Sequence, residues 1–123
     1  MHTFPPADEL EFLIGAELQQ IALDPWSLQF RFADGGSITV EGRIEHVEES
    51  GSIYSHDCQK RVGKALYLHQ LLQHPITAVS AEPFCLSLIF ASGAILRIFS
   101  ELSQYECGQI FPSQQSGRGF IVF

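Results

Sequence analysis

Residues 26–40 read Trp26-Ser-Leu-Gln-Phe-Arg-Phe-Ala-Asp-Gly-Gly-Ser-Ile-Thr-Val40, and the fold class follows from how they alternate. Trp26, Leu28, Phe30 and Phe32 are separated by Ser27, Gln29 and Arg31, the period of two expected of a strand with one face buried and the other wet. Ala33-Asp34-Gly35-Gly36-Ser37 breaks the run, and glycine tolerates positive φ, so the chain is expected to reverse there. Ile38 and Val40 resume the inward series, with Thr39 and Glu41 outward. Upstream, Glu17 to Leu23 is a shorter alternating run joined to the hairpin by Asp24-Pro25. Proline has a fixed φ and no N–H, so it suits a turn and not a ladder interior. The whole stretch predicts a three-stranded antiparallel meander.

The pattern recurs 58 positions later. Over Leu13 to Gly42 that offset holds without gaps, with identities Leu13/Leu71, Pro25/Pro83, Leu28/Leu86, Phe32/Phe90, Ala33/Ala91 and Gly35/Gly93. Conservative pairs such as Ile21/Val79, Trp26/Phe84, Phe30/Leu88, Ile38/Leu96 and Val40/Ile98 fall on the positions a strand buries. Two amphipathic hairpins of independent origin would share some of this, since alternation and a glycine turn are generic. On either origin the local structure is the same. In the second copy Phe84, Leu86, Leu88 and Phe90 face inward, Ser92-Gly93-Ala94 turns, and Leu96 and Ile98 return. Ile89 and Phe99 are apolar as well, so this hairpin is expected to be covered on both faces and the more central.

Around the repeats, Val62, Leu66, Leu68, Leu71 and Leu72 approach helical spacing, which predicts a helix over about Lys64 to Gln73, ended by His74-Pro75. Asp8 to Leu13 is its shorter counterpart. Cys107 to Phe111 and Gly119 to Phe123 predict a closing hairpin around a polar loop, Pro112 to Arg118. The expected fold is α+β and mostly antiparallel β: two pseudo-repeated three-stranded meanders plus a C-terminal hairpin, with one or two short helices. It is read as a single domain over 1–123, with repeats at about 13–42 and 71–100 and a connector at about 43–63. Glu41 to Ser55 reads as a solvated strand edge anchored by Ile44 and Val47, its carboxylates discouraging unwanted pairing.

The totals bound the function. With 123 residues, 46% hydrophobic and 17% charged, the chain has the balance of one globular, soluble domain. A formal charge of −7 argues against a nucleic-acid partner, because phosphate contacts need clustered Lys and Arg. It suits a basic protein partner or plain solubility. Cys58, Cys85 and Cys107 form an odd set without CxxC spacing, so no disulfide framework is expected. Met1 to Pro6 lacks the features of a secretory signal, and no apolar run is long enough for a membrane helix. With free thiols this points to the cytoplasm.

A helix ending in leucines (Leu68 to Leu72), Ile76 to Val79, Pro83-Phe84, Leu86 to Phe90, Gly93, Leu96 to Ile98 and Tyr105-Glu106 make up a recurring pattern. In these elements the chain resembles small bacterial proteins grouped as domains of unknown function that carry a duplicated β unit. The resemblance implies a bacterial cytoplasmic protein and carries over no catalytic residue.

Chemistry-bearing residues concentrate in the connector. His46, Glu49, His56 and Cys58 are the candidate metal ligands, since imidazole, carboxylate and thiolate are the donors zinc uses, although their spacing matches no metal motif. Cys58, near His56 and between Asp57 and Lys60, is the one thiol with plausible activation as a nucleophile. Cys85 reads as core packing. Glu48, Tyr105 and Glu106 are candidates for a ligand or partner surface, because Val47-Glu48 and Tyr105-Glu106 align across the repeat. No motif points to a cofactor. Two functions compete: a non-catalytic binding or protein-interaction module, with a protein partner or a homodimer, and a small metal-dependent or cysteine-based enzyme using residues 45–58.

Overall fold

Alternation and turn chemistry assemble an α+β fold that is mostly antiparallel β in the computed structural model, which describes residues 3–60, 62–63, 68–101 and 106–123. Among the described residues eleven strands run in chain order: β1 (Leu18–Asp24), β2 (Ser27–Phe32), β3 (Ser37–Val40), β4 (Arg43–Val47), β5 (Ile53–Asp57), β6 (Val62–Gly63), β7 (Ile76–Glu82), β8 (Cys85–Phe90), β9 (Ile95–Phe99), β10 (Gly108–Phe111) and β11 (Ile121–Val122). The helical pieces are short 3-10 turns at Ala7–Leu13, Leu68–Leu71 and Gln114–Ser116. No helix among the described residues is long and apolar enough to cross a membrane.

Both meanders form as expected, β1-β2-β3 and β7-β8-β9, and the C-terminal hairpin closes as β10-β11. The meanders then interlock. After β3 the chain crosses to the other sheet, where β4 pairs with β9; after β9 it crosses back, where β10 pairs with β3. The result is a five-stranded sheet, β1-β2-β3-β10-β11, and a six-stranded sheet, β6-β5-β4-β9-β8-β7.

The repeat is visible in the hydrogen bonds. Phe30 pairs with Ile21 and Ile38, as Leu88 pairs with Val79 and Leu96, and both first strands shift register at the same place, Leu18/Gln20 and Ile76/Ala78. Glu17 forms an antiparallel bridge with Pro75, the residue 58 positions on, so this contact lies on the pseudo-two-fold axis. Around it Gly15 N donates to Ile76 O and Gln73 N to Leu18 O, the same bond made twice. Gly15 and Gln73 both have positive φ, +91° and +68°.

Leu28, Phe30, Phe32, Ile38 and Val40 from one repeat and Leu86, Leu88, Phe90, Leu96 and Ile98 from the other share a single core with Ile44, Ile110 and Phe123. Full burial of each large aliphatic or aromatic side chain contributes about 1.5–3 kcal/mol relative to exposure.

Several expectations are corrected. Trp26 and Phe84 do not face inward: they are 54% and 39% exposed. Asp24 pairs with Ser27, and Glu82 with Cys85, so Pro25-Trp26 and Pro83-Phe84 are turn tips whose side chains leave the sheet. The second hairpin is not covered on both faces. Ile89 and Phe99 lie half-buried on an outer face with no further layer over it among the described residues, and β8 sits one strand in from its edge as β2 does. The connector is no solvated edge, because β4 lies inside the larger sheet between β5 and β9. Ile44 and Val47, three residues apart, cannot share a face of a period-two strand, and the inward pair is Ile44 and His46. Of the expected helix over Lys64 to Gln73, positions 64–67 lie outside the described residues, and the rest is one 3-10 turn followed by Gln73 in the left-handed region. Cys85 is not in the core but half-buried on the outer face, its Sγ 3.9 Å from Ser87 Oγ.

Candidate functional site

The β4–β5 hairpin places most of the candidate residues. Partners across an antiparallel ladder share a face, so pairing of Ile44 with His56 and of His46 with Tyr54 turns all four side chains toward the interior. Cys58 follows on the same side, 2% exposed, its N–H donating to Gly42 O. His46 is fully buried, and neither ring nitrogen has a hydrogen-bond partner among the described residues. Desolvation lowers its pKa from the usual histidine value, with His69 adding to the effect and Glu48 opposing it.

The proposed metal quartet does not converge. His46 and His56 are diagonal neighbours, one register step apart, while Glu49 and Cys58 stand beyond opposite ends of the hairpin. The described residues contain no group of three His, Cys, Asp or Glu side chains placed to share a metal ion. Burial, then the carboxylates of Asp57 and Glu41, push the Cys58 thiol up to about 11. Burial also raises Cys107. At neutral pH both sulfurs are therefore thiols, the poorly nucleophilic form.

Glu48 and Glu106 line different hollows. Glu48 borders one with Glu49, Gln70 and His74, and Glu106 borders another with Glu41, Asp57 and Lys60 and accepts a 2.6 Å hydrogen bond from Gln109. Tyr105 lies outside the described residues. The alignment of Val47-Glu48 with Tyr105-Glu106 fails because the offset of 58 ends at β9. Ile44 opposite Ile98 is matched by Gly108 opposite Val40, so β4 and β10 are related by 64 positions and Glu48 corresponds to Pro112.

Two further surfaces were not legible from spacing. On the outer face of the six-stranded sheet, Glu45 sits between Arg97 at 3.4 Å and Arg43 at 3.5 Å, with the Arg43 guanidinium 3.7 Å from the Phe99 ring centre. These residues line an open hollow of about 460 Å³. At these exposures the ion pairs contribute little to stability.

The second surface is a cleft of about 500 Å³ between β1, β2, β5 and the 3-10 turn at Leu68–Leu71. Ile21, Leu23, Leu28, Leu68 and Leu72 form its walls, with His56 and His69 as the polar groups. A smaller hollow continues it past Pro25 and Cys58, sharing Leu23, Leu28 and His56. Leu23 is 75% exposed, an unusual cost for so large an aliphatic side chain. An apolar concavity of a few hundred Å³ with few polar groups is the usual form of a small-molecule site. His56 was read from sequence as a metal ligand, whereas the structure makes it a wall of this cleft.

Comparisons with protein-family models, with curated proteins and with solved structures give no match to this chain.

Proposed function

We propose that this protein is a non-catalytic binding module that holds a small molecule with an apolar body in the cleft between β1, β2, β5 and the Leu68–Leu71 turn. The observation that carries this reading is the cleft's composition: among the described residues, five aliphatic side chains and two imidazoles border about 500 Å³, with Leu23 left open to solvent. Burying that surface would return roughly 25 cal/mol per Å² of apolar area, the driving force for taking up a ligand. The non-catalytic part is supported by two thiols held protonated and by donors that do not converge on one point.

Methyl-resolved NMR of the intact chain against a panel of small apolar fragments tests the reading. Saturable shifts should concentrate on Ile21, Leu23, Leu28, Leu68 and Leu72. Shifts spread evenly over the surface, or none, would overturn it.

A second reading, association with another copy of the chain, is favoured by the half-buried apolar row Val47, Ile95 and Ile89 on the outer face of the larger sheet. Sedimentation across a hundredfold range of concentration tests it. A strict monomer throughout removes it.

A further inference from the structure

Resting on the second reading above, association with another copy, we infer that two chains pack the outer faces of their six-stranded sheets together about a two-fold axis parallel to the strands and midway between β4 and β9. Side chains cross that face in rows of successive ladder partners, which all point to the same side. One row is apolar throughout: Ile53, Val47, Ile95, Ile89 and Ala78. Ile53 is 51% exposed, Ala78 is exposed, and the other three are half-buried. The next row is Ser55, Glu45, Arg97 and Ser87. Beyond it Arg43 of β4 lies against Phe99 of β9.

The fold does not require an apolar row there, because the repeat builds the same row on the other sheet from mostly polar residues. Ala78, Ile89 and Ile95 correspond to Gln20, Arg31 and Ser37, 58 positions earlier, and Val47 corresponds to Phe111. Those four are successive ladder partners in their own sheet. Arg31 donates hydrogen bonds to Gln20 at 3.2 Å and to Gln29 at 2.8 Å, the pattern of a face that meets water. On equivalent backbone one sheet therefore carries a polar row and the other an apolar band. A contiguous exposed apolar band marks a surface that another molecule covers.

The arrangement of charge selects a second copy as that molecule. The line between β4 and β9 bisects the sheet, and a half-turn about it sets β4 against β9, and β5 against β8, of the facing chain. The apolar row then meets itself, Val47 on Ile95 of the second copy and Ile53 on Ile89. In the next row Glu45 meets Arg97, Arg97 meets Glu45, and Ser55 meets Ser87. Within one chain Glu45 already accepts from Arg97 at 3.4 Å across the axis, so the two pairs close a ring of alternating charge. Every row is complementary to itself, which an isologous contact demands and contact with an unrelated protein does not. The outward charges of β4 and β9, Arg43, Arg97 and Glu45, are positive in balance on a chain of net charge −7, so two copies meet here with less repulsion than at a face of average charge. A patch of five strands by three rows covers roughly 500 Å² in plan, less than the about 800 Å² per partner of a standard interface, and the association is correspondingly weak.

The test is sedimentation of the full chain up to millimolar concentration, wild type beside two sets of variants. Ile89→Arg and Ile95→Ser borrow the residues that the other repeat carries at those places, and a thermal melt checks that they fold. Each should weaken association at least about tenfold, since a substitution enters an isologous contact twice. Association of wild type and both variants alike overturns this face and leaves the second reading standing. A wild type that stays monomeric overturns both. Glu45→Arg and Arg97→Glu each set like charges against one another across the axis, so either alone should be monomeric, while an equimolar mixture of the two should associate about as tightly as wild type. Single variants that associate like wild type, or a mixture no tighter than its components, overturn the axis. This exchange of partners decides the matter on its own should a variant of the apolar row fail to fold.

Discussion

His46 is the residue whose placement costs most. Its pseudo-symmetric counterpart is Ile110, equally buried, and a buried imidazole without hydrogen-bond partners forgoes about 1–3 kcal/mol of solvation that an aliphatic side chain never had. His46→Ile is expected to stabilise the protein by about 1–2 kcal/mol in urea unfolding at pH 7.5. The pH dependence follows from its lowered pKa. The unfolded chain takes up a proton near pH 6.5 while the folded protein resists it, so stability is complete above that value and declines as the pH falls below it toward the folded pKa. The decline from pH 7 to pH 5 should be shallower in His46→Ile, and equal slopes would show that this imidazole is not the group responsible. Phe30, fully buried at the centre of the first meander, is the opposite case. Phe30→Asp loses roughly 1.5–3 kcal/mol of burial and adds the desolvation of a carboxylate. Loss of dispersed amide resonances is the expected result.

At the level of elements, backbone geometry makes sharper demands than side-chain type. Gln73 holds φ at +68° in the position that Gly15 fills in the other repeat. Gln73→Gly is expected to gain about 0.5–1 kcal/mol, the relief of a left-handed residue set against the larger entropy of an unfolded glycine, and a thermal melt would register it. Gly108 makes the contrary demand. A Cβ there would lie 2.4 Å from the Phe123 ring and 2.2 Å from Thr39 O, closer than atoms pack, so β10 can pass between β3 and Phe123 only without a side chain. Gly108→Ala should cost at least about 2 kcal/mol, in the range of overpacking. A near-neutral melt would mean that β10 can move away from β3. Neither demand shows in a hydropathy pattern. Gln73 looks like a helix terminus, and Gly108 looks like any glycine entering a strand.

For the whole molecule the decisive feature is the exchange of fourth strands, β4 onto β9 and β10 onto β3. Each repeat completes the sheet of the other, so neither half holds a finished core. Residues 1–60 and 61–123 prepared separately should each give collapsed, poorly dispersed NMR spectra, and mixing them should restore the native spectrum. A half that folds alone would refute the interlocked arrangement. The alternation of Leu28, Phe30 and Phe32, its recurrence at Leu86, Leu88 and Phe90, and the glycine turns at Gly35 and Gly93 made both meanders legible from the chain, because period-two burial and tight reversals are local properties. Local pattern could not say that β4 would cross to the second meander, that His46 would point inward where Ile110 does, or that His56 and Leu23 would border one cleft. Those relations join residues tens of positions apart, and only the packing of two sheets around one core decides which distant side chains meet.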